Sequence, residues 1–155
     1  MALNSRATSL GFAERTETNL VHLERAFAAG ADVHLITQLV NSLVGFVVFP
    51  WERGVNERLE RLPLDEALGA GWPAWRIQSG ACSTLGDLVR YLRNGVSHGH
   101  IEFSSDEREL AQVFITVSNY RNSRAVAPNF VAIIRADELR KFCRKFSDEV
   151  VQAIG

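Results

Sequence analysis

The chain has 155 residues, of which 46% are hydrophobic and 23% charged, and its formal net charge is −1. Those proportions belong to a folded chain of single-domain length, read here as one domain over residues 1–155, and exclude extended disorder. The near-neutral balance also excludes bulk electrostatic attachment to nucleic acid, which would have to rest on a local patch.

Other classes fall away as readily. Cys82 and Cys143 are the only cysteines, too few for a disulfide framework. The longest apolar run, from Leu43 to Pro50, is far short of the ~20 residues that span a bilayer. The first residues lack the basic start and apolar stretch of a secretory signal. A cytoplasmic chain with no membrane attachment is expected.

Along the chain, helical spacing dominates. Leu20, Leu23 and Phe27 fall at i, i+3 and i+7 ahead of Gly30, which predicts a first helix over about Arg6 to Ala29. Asp32 is placed to cap a second helix carrying Leu35, Ile36, Leu39, Val40, Leu43, Phe46 and Val47. Apolar residues cover more than one of its faces, as in a buried helix, and Pro50 should end it. A short charged helix is expected over Gly54 to Arg61. From Pro63 to Cys82, punctuation by Gly69, Gly71, Pro73 and Gly80 predicts a long connection held down by Trp72 and Trp75.

Thr84 and Asp87 are spaced as a capping box. Behind them Leu85, Leu88, Val89, Leu92 and Val96 mark an amphipathic helix reaching to Gly99. The period then changes. Gln112 to Val117 and Asn129 to Ile134 are rich in Val, Ile and Phe and flank a polar segment, which predicts a small antiparallel β-hairpin. A last helix from about Asp137 to Ala153 shows a stripe of Leu139, Phe142, Cys143, Phe146, Val150 and Ile154. The fold class is therefore mainly α with a hairpin before the last helix.

One segment carries chemistry. Residues 93–98 read Arg-Asn-Gly-Val-Ser-His at the C-terminal end of the amphipathic helix. Asn94 and His98 are i, i+4 neighbours, stacked one turn apart, with Arg93 one step round and Ser97 one turn above it. Gly95 offers no side chain to obstruct the approach of a ligand or another chain. An imidazole near neutral pKa can take or give a proton, a guanidinium can clamp a phosphorane, and an amide can orient either. Cleavage of RNA by its own 2′-OH needs these groups and no metal.

The stretch Leu92 to Phe103 resembles the signature of the HEPN family (higher eukaryotes and prokaryotes nucleotide-binding), in which an Arg is followed by a polar residue and, about a turn later, a His. Arg93, Asn94 and His98 fill those places. The segment Asn41 to Glu52 and the strand pair with last helix, Phe130 to Val150, are similar to a prokaryotic, partly plasmid-borne HEPN branch. The resemblance implies an up-and-down bundle of four to five helices and a metal-independent endoribonuclease of toxin–antitoxin, antiphage or RNA-processing type. It also implies a homodimer with a composite site, and a possible cognate antitoxin protein. In that reading His98 is the general acid or base, Arg93 the clamp and Asn94 the orienting amide. Some HEPN domains are instead non-catalytic interaction modules, the alternative reading.

Outside the motif, Arg90, Ser97, Arg140 and Arg144 are candidates to touch RNA. Arg140, Lys141, Arg144 and Lys145 form a basic run read as facing away from the apolar stripe, joined by Arg121 and Arg124 in the hairpin loop. His98, His100, Cys82 and Cys143 match no standard zinc spacing, so no metal or other cofactor is expected. Cys143 reads as a core thiol, and His22 and His34 as surface or boundary residues.

Overall fold

The computed structural model describes residues 5–48 and 57–154. The elements in chain order are α1 (Ser5–Ala28), α2 (Leu35–Leu43) running into a π-helical turn (Val44–Val48), α3 (Glu57–Glu60), α4 (Leu64–Gly69) and β1 (Arg76–Ser79). Then come α5 (Leu85–Ser97), β2 (Ile101–Phe103), a 3₁₀ turn (Leu110–Gln112), β3 (Phe114–Asn119), β4 (Phe130–Arg135) and α6 (Ala136–Ile154). The described residues are mainly helical and carry a small antiparallel sheet, ordered β1-β4-β3-β2. It divides into two compact units, residues 1–56 with 142–155, and residues 57–141.

In the first unit, α1 closes where Gly30 was expected to stop it. Gly30 sits at φ +86°, and the N–H groups of Gly30 and Ala31 donate to the carbonyls of Phe27 and Ala26, the paired bonds of a Schellman ending. Asp32 stands two residues ahead of the cap position of α2. The chain first makes a tight turn, Val33 N–H to Ala31 O, and the first helical bond runs from Gln38 N–H to His34 O, so His34 holds the cap position. Leu35, Ile36, Leu39 and Leu43 are buried along α2, as are Phe46 and Val47 in the π-helical turn. That turn lies close on α1: a Cβ at Gly45 would stand 2.4 Å from Thr16 Oγ1. The expected stop at Pro50, the neighbouring Trp51 and Glu52, and the start of the helix predicted from Gly54 lie outside the described residues. From α6, Phe142, Cys143 and Phe146 are fully buried, while Arg144 reaches Glu17 at 3.6 Å.

The second unit contains the amphipathic helix. Thr84 Oγ1 accepts from Asp87 N–H at 3.1 Å, and the Asp87 carboxylate accepts from Thr84 N–H at 3.3 Å. This completes the capping box read from the sequence. The buried stripe of α5 is Leu85, Leu88, Val89 and Leu92, and it ends in Gly95 rather than in Val96. The reason is β3: a Cβ on Gly95 would lie 2.4 Å from Val117 Cγ1 and 2.9 Å from Ser118 O. What uses the bare Gly95 surface is the chain's own strand, not a ligand or another chain.

The β3–β4 pair is antiparallel, with Ile115 opposite Ile134 and Val117 opposite Ala132. One face is buried through Ile115, Val117 and Asn119 on β3 and Phe130, Ala132 and Ile134 on β4. The expected hairpin is thus the centre of a wider sheet. Its outer strands have four and three residues, too short for alternation to register against flanking glycines. The stretch expected as a long connection likewise contains α4 and β1, although Trp72 is buried there as foreseen, at 4% exposure.

Candidate functional site

The site begins at the end of α5. His98 is the C-cap, with its N–H donating to Asn94 O at 3.1 Å. Gly99 follows at φ +70°, a left-handed conformation that glycine adopts without a Cβ penalty. Gly99 N–H donates to Val96 O at 3.2 Å and His100 N–H to Gly95 O at 2.8 Å, again the two bonds of a Schellman ending. His100 O then accepts from Ser118 N–H at 3.0 Å. The segment 98–100 is therefore tied at one end to the last turn of α5 and at the other to β3.

Two rings of this turn and one from the loop after β3 stand in series. His98 and His100 have centroids 5.9 Å apart, and His100 meets Tyr120 at 4.6 Å with planes tilted by 59°. His98 is exposed and His100 half-buried. Neither imidazole has a hydrogen-bond partner among the described residues, so their ring nitrogens are available to a ligand.

These residues border a cleft of about 460 Å³, lined by Asn94, His98 and His100 together with residues 119–123. Of this lining, Tyr120, Arg121, Asn122 and Ser123 follow directly from β3. Asn119 is held at their root, its side-chain amide donating to Asn129 Oδ1 at 2.8 Å. Arg121 is exposed and forms no ion pair among the described residues. A permanent cation thus shares a polar cleft with two imidazoles, a combination of groups suited to a phosphate.

Of the three motif residues, Asn94 and His98 line the cleft and Arg93 does not. Arg93 instead donates from Nε at 3.3 Å and Nη2 at 3.1 Å to Asn94 Oδ1. With its oxygen engaged by Arg93, Asn94 keeps its amide nitrogen as a donor. The guanidinium that lines the cleft is Arg121, which the sequence offered only as part of a basic surface.

The remaining candidates are dispersed. Ser97 is exposed beside His98. Arg90 is exposed, pairs with Asp87 at 3.0 Å and lies over the Tyr91 ring at 5.4 Å. Arg144 belongs to the first unit and faces Glu17. Arg140 is 6% exposed, which corrects its reading as part of a solvated basic face. Ala136, Arg140, Cys143 and Ser147 are all buried at i, i+4, i+7 and i+11, a second inward strip masked by its polar members.

Sequence reasoning passed over His100, Tyr120, Asn119 and Asn122 as site residues. His100 was legible in the His-Gly-His pattern but weighed only as a metal ligand. No group of three or more His, Cys, Asp or Glu side chains that could hold a metal stands among the described residues, and no helix among them is long and apolar enough to cross a membrane. Residues 1–153 match a family model described as HEPN pEK499 p136. No curated protein and no solved structure matches the chain.

Proposed function

Because the chain belongs to the HEPN pEK499 p136 family, a membership consistent with nuclease or nucleotide-binding roles, we propose that it is a metal-independent endoribonuclease. The observation that carries this reading is the shared cleft: His98 and Asn94 from α5 open onto the same space as the Arg121 guanidinium. RNA supplies its own nucleophile, so the protein must hold a phosphate, move two protons and stabilise the charge that grows on phosphorus. His98 serves as acid or base. Asn94 donates its amide N–H to a phosphate oxygen, and Arg93 holds Asn94 in place while adding positive charge behind it. Arg121 supplies the fork that faces the phosphate directly. Arg90, Ser97 and Arg144 are proposed as outer contacts for the RNA backbone; Arg140, buried, is withdrawn from that set.

The up-and-down HEPN bundle belongs to the same proposal. So do a cytoplasmic location, a role as toxin or defence component with a cognate antitoxin protein, and a homodimer whose two-fold axis passes near the exposed Ser97 and His98. An isologous contact there would set a second motif opposite the first.

The test is expression of wild type beside His98→Ala, with total cellular RNA run for cuts. Cleavage with wild type and intact RNA with the variant is expected. RNA left intact by both would sink the enzyme reading and assign the chain to the non-catalytic interaction modules.

A further inference from the structure

His100 is a half-buried imidazole in the same cleft as His98, and neither the motif nor its resemblance gives it a task. Its position is fixed more firmly than that of His98. The backbone N–H is used by Gly95 O and the carbonyl by Ser118 N–H, and the ring is held against Tyr120. A side chain mounted in this way holds its geometry when a ligand arrives. The centroid separation of 5.9 Å from His98 leaves room for a phosphate oxygen to be approached by each ring. The other titratable or charged groups lining the cleft are Tyr120 and Arg121, both from the loop after β3.

In-line cleavage needs two proton transfers at once. One group takes the proton of the 2′-OH as the bond from O2′ to phosphorus forms. Another gives a proton to O5′ as the bond from phosphorus to O5′ breaks. A single imidazole cannot do both in one step, so a second acid–base group is needed. We infer that His98 and His100 of one chain form the acid–base pair, one entering neutral and the other as imidazolium. The products are a 2′,3′-cyclic phosphate and a free 5′-OH. The two rings leave with their protonation exchanged, and water resets them. A homodimer is then compatible with the chemistry but not required by it.

This inference rests on the ribonuclease reading, and its test separates the two. His98→Ala, His100→Gln and His100→Asn are assayed on an RNA oligonucleotide and on uridine 3′-(4-nitrophenyl phosphate), with circular dichroism confirming the fold. Wild type should give a bell-shaped pH profile with two limbs, and the His100 variants should lose one limb and about a hundredfold or more in rate, within the range for a general acid or base. The aryl leaving group needs no protonation, so it should rescue either His98→Ala or the His100 variants, and not both. A one-to-one mixture of His98→Ala and His100→Gln should stay inactive, because the pair acts within one chain. Folded His100 variants that cut RNA at the wild-type rate with both limbs intact would overturn the inference while leaving the enzyme reading in place. So would recovery of activity in the mixture. Wild type inert on both substrates would overturn the enzyme reading itself.

Discussion

Arg93 and Asn94 are consecutive on α5, and two guanidinium nitrogens of the first reach the single side-chain oxygen of the second, at 3.3 and 3.1 Å. An acceptor is what a guanidinium demands, so this contact also holds the Asn94 amide by its oxygen and leaves its nitrogen as a donor. The two residues act as one unit, and their contributions to activity should not add.

Arg93→Lys keeps the charge and loses the fork. A charged hydrogen bond is worth about 1.5–3 kcal/mol, so kcat/KM on RNA should fall about ten- to a hundredfold, with an unchanged circular dichroism spectrum. Asn94→Ala should cost a similar factor, and the double variant little more than either alone. Full additivity in a double-mutant cycle would contradict the shared role.

Gly95→Ala should destabilise the protein. The new Cβ would sit 2.4 Å from Val117 Cγ1 and 2.9 Å from the carbonyl oxygen of Ser118, and backbone cannot give way as a side-chain tip can. Overpacking of this kind costs about 1–3 kcal/mol, read as a lowered thermal midpoint. Gly99→Ala, at φ +70° but with open space around its Cβ, should lose about 1 kcal/mol through backbone strain alone. Equal midpoints for wild type and Gly95→Ala would contradict the close packing of α5 on β3.

The Cys82 thiol is pushed up to about 11, first by burial and then by Asp87. It should therefore be almost wholly protonated at pH 8, with a thiolate fraction about a hundredfold below that of an unperturbed thiol. Iodoacetamide should modify the folded protein slowly and the urea-unfolded protein quickly. The Asp137 carboxyl is held below its ordinary range by hydrogen bonding from Arg135. Its contribution to stability should be present above about pH 4 and be lost as the pH falls through the folded value. Asp137→Asn should flatten that part of the acid unfolding profile.

What could be read ahead of the structure follows from range. α5 was legible with its cap, because Thr84 and Asp87 are three residues apart and the apolar spacing behind them is local. The motif was legible for the same reason, being one turn of one helix. Arg140 was misread because it adjoins Leu139 and stands three before Cys143, at the edge of a stripe wider than the apolar residues alone define. The part of the cleft lining that follows β3 was out of reach. Tyr120 and Arg121 come to His98 and His100 only through the pairing of β2 with β3 and the bond from Ser118 to His100, neither of which leaves a local pattern. Gly95 was read as open to a ligand or another chain, and only the tertiary structure could say that β3 occupies that surface.

Thr84→Ala should remove one side of the capping box and cost about 1 kcal/mol, measurable as a shift in urea midpoint. Activity at temperatures well below the midpoint should be unaffected, since the cap lies at the opposite end of α5 from His98.

The most direct measurement is the chemistry of the cut ends. Purified protein is incubated with a defined RNA in the presence of EDTA, beside the same RNA carrying a single 2′-deoxy nucleotide at the cleaved position, and the termini are mapped by mass. Cleavage leaving a 2′,3′-cyclic phosphate and a 5′-OH, blocked at the deoxy position and absent from His98→Ala, is the expected result. Cleavage that EDTA abolishes, that proceeds at the deoxy position, or that leaves a 5′-phosphate would contradict a metal-independent attack by the 2′-OH.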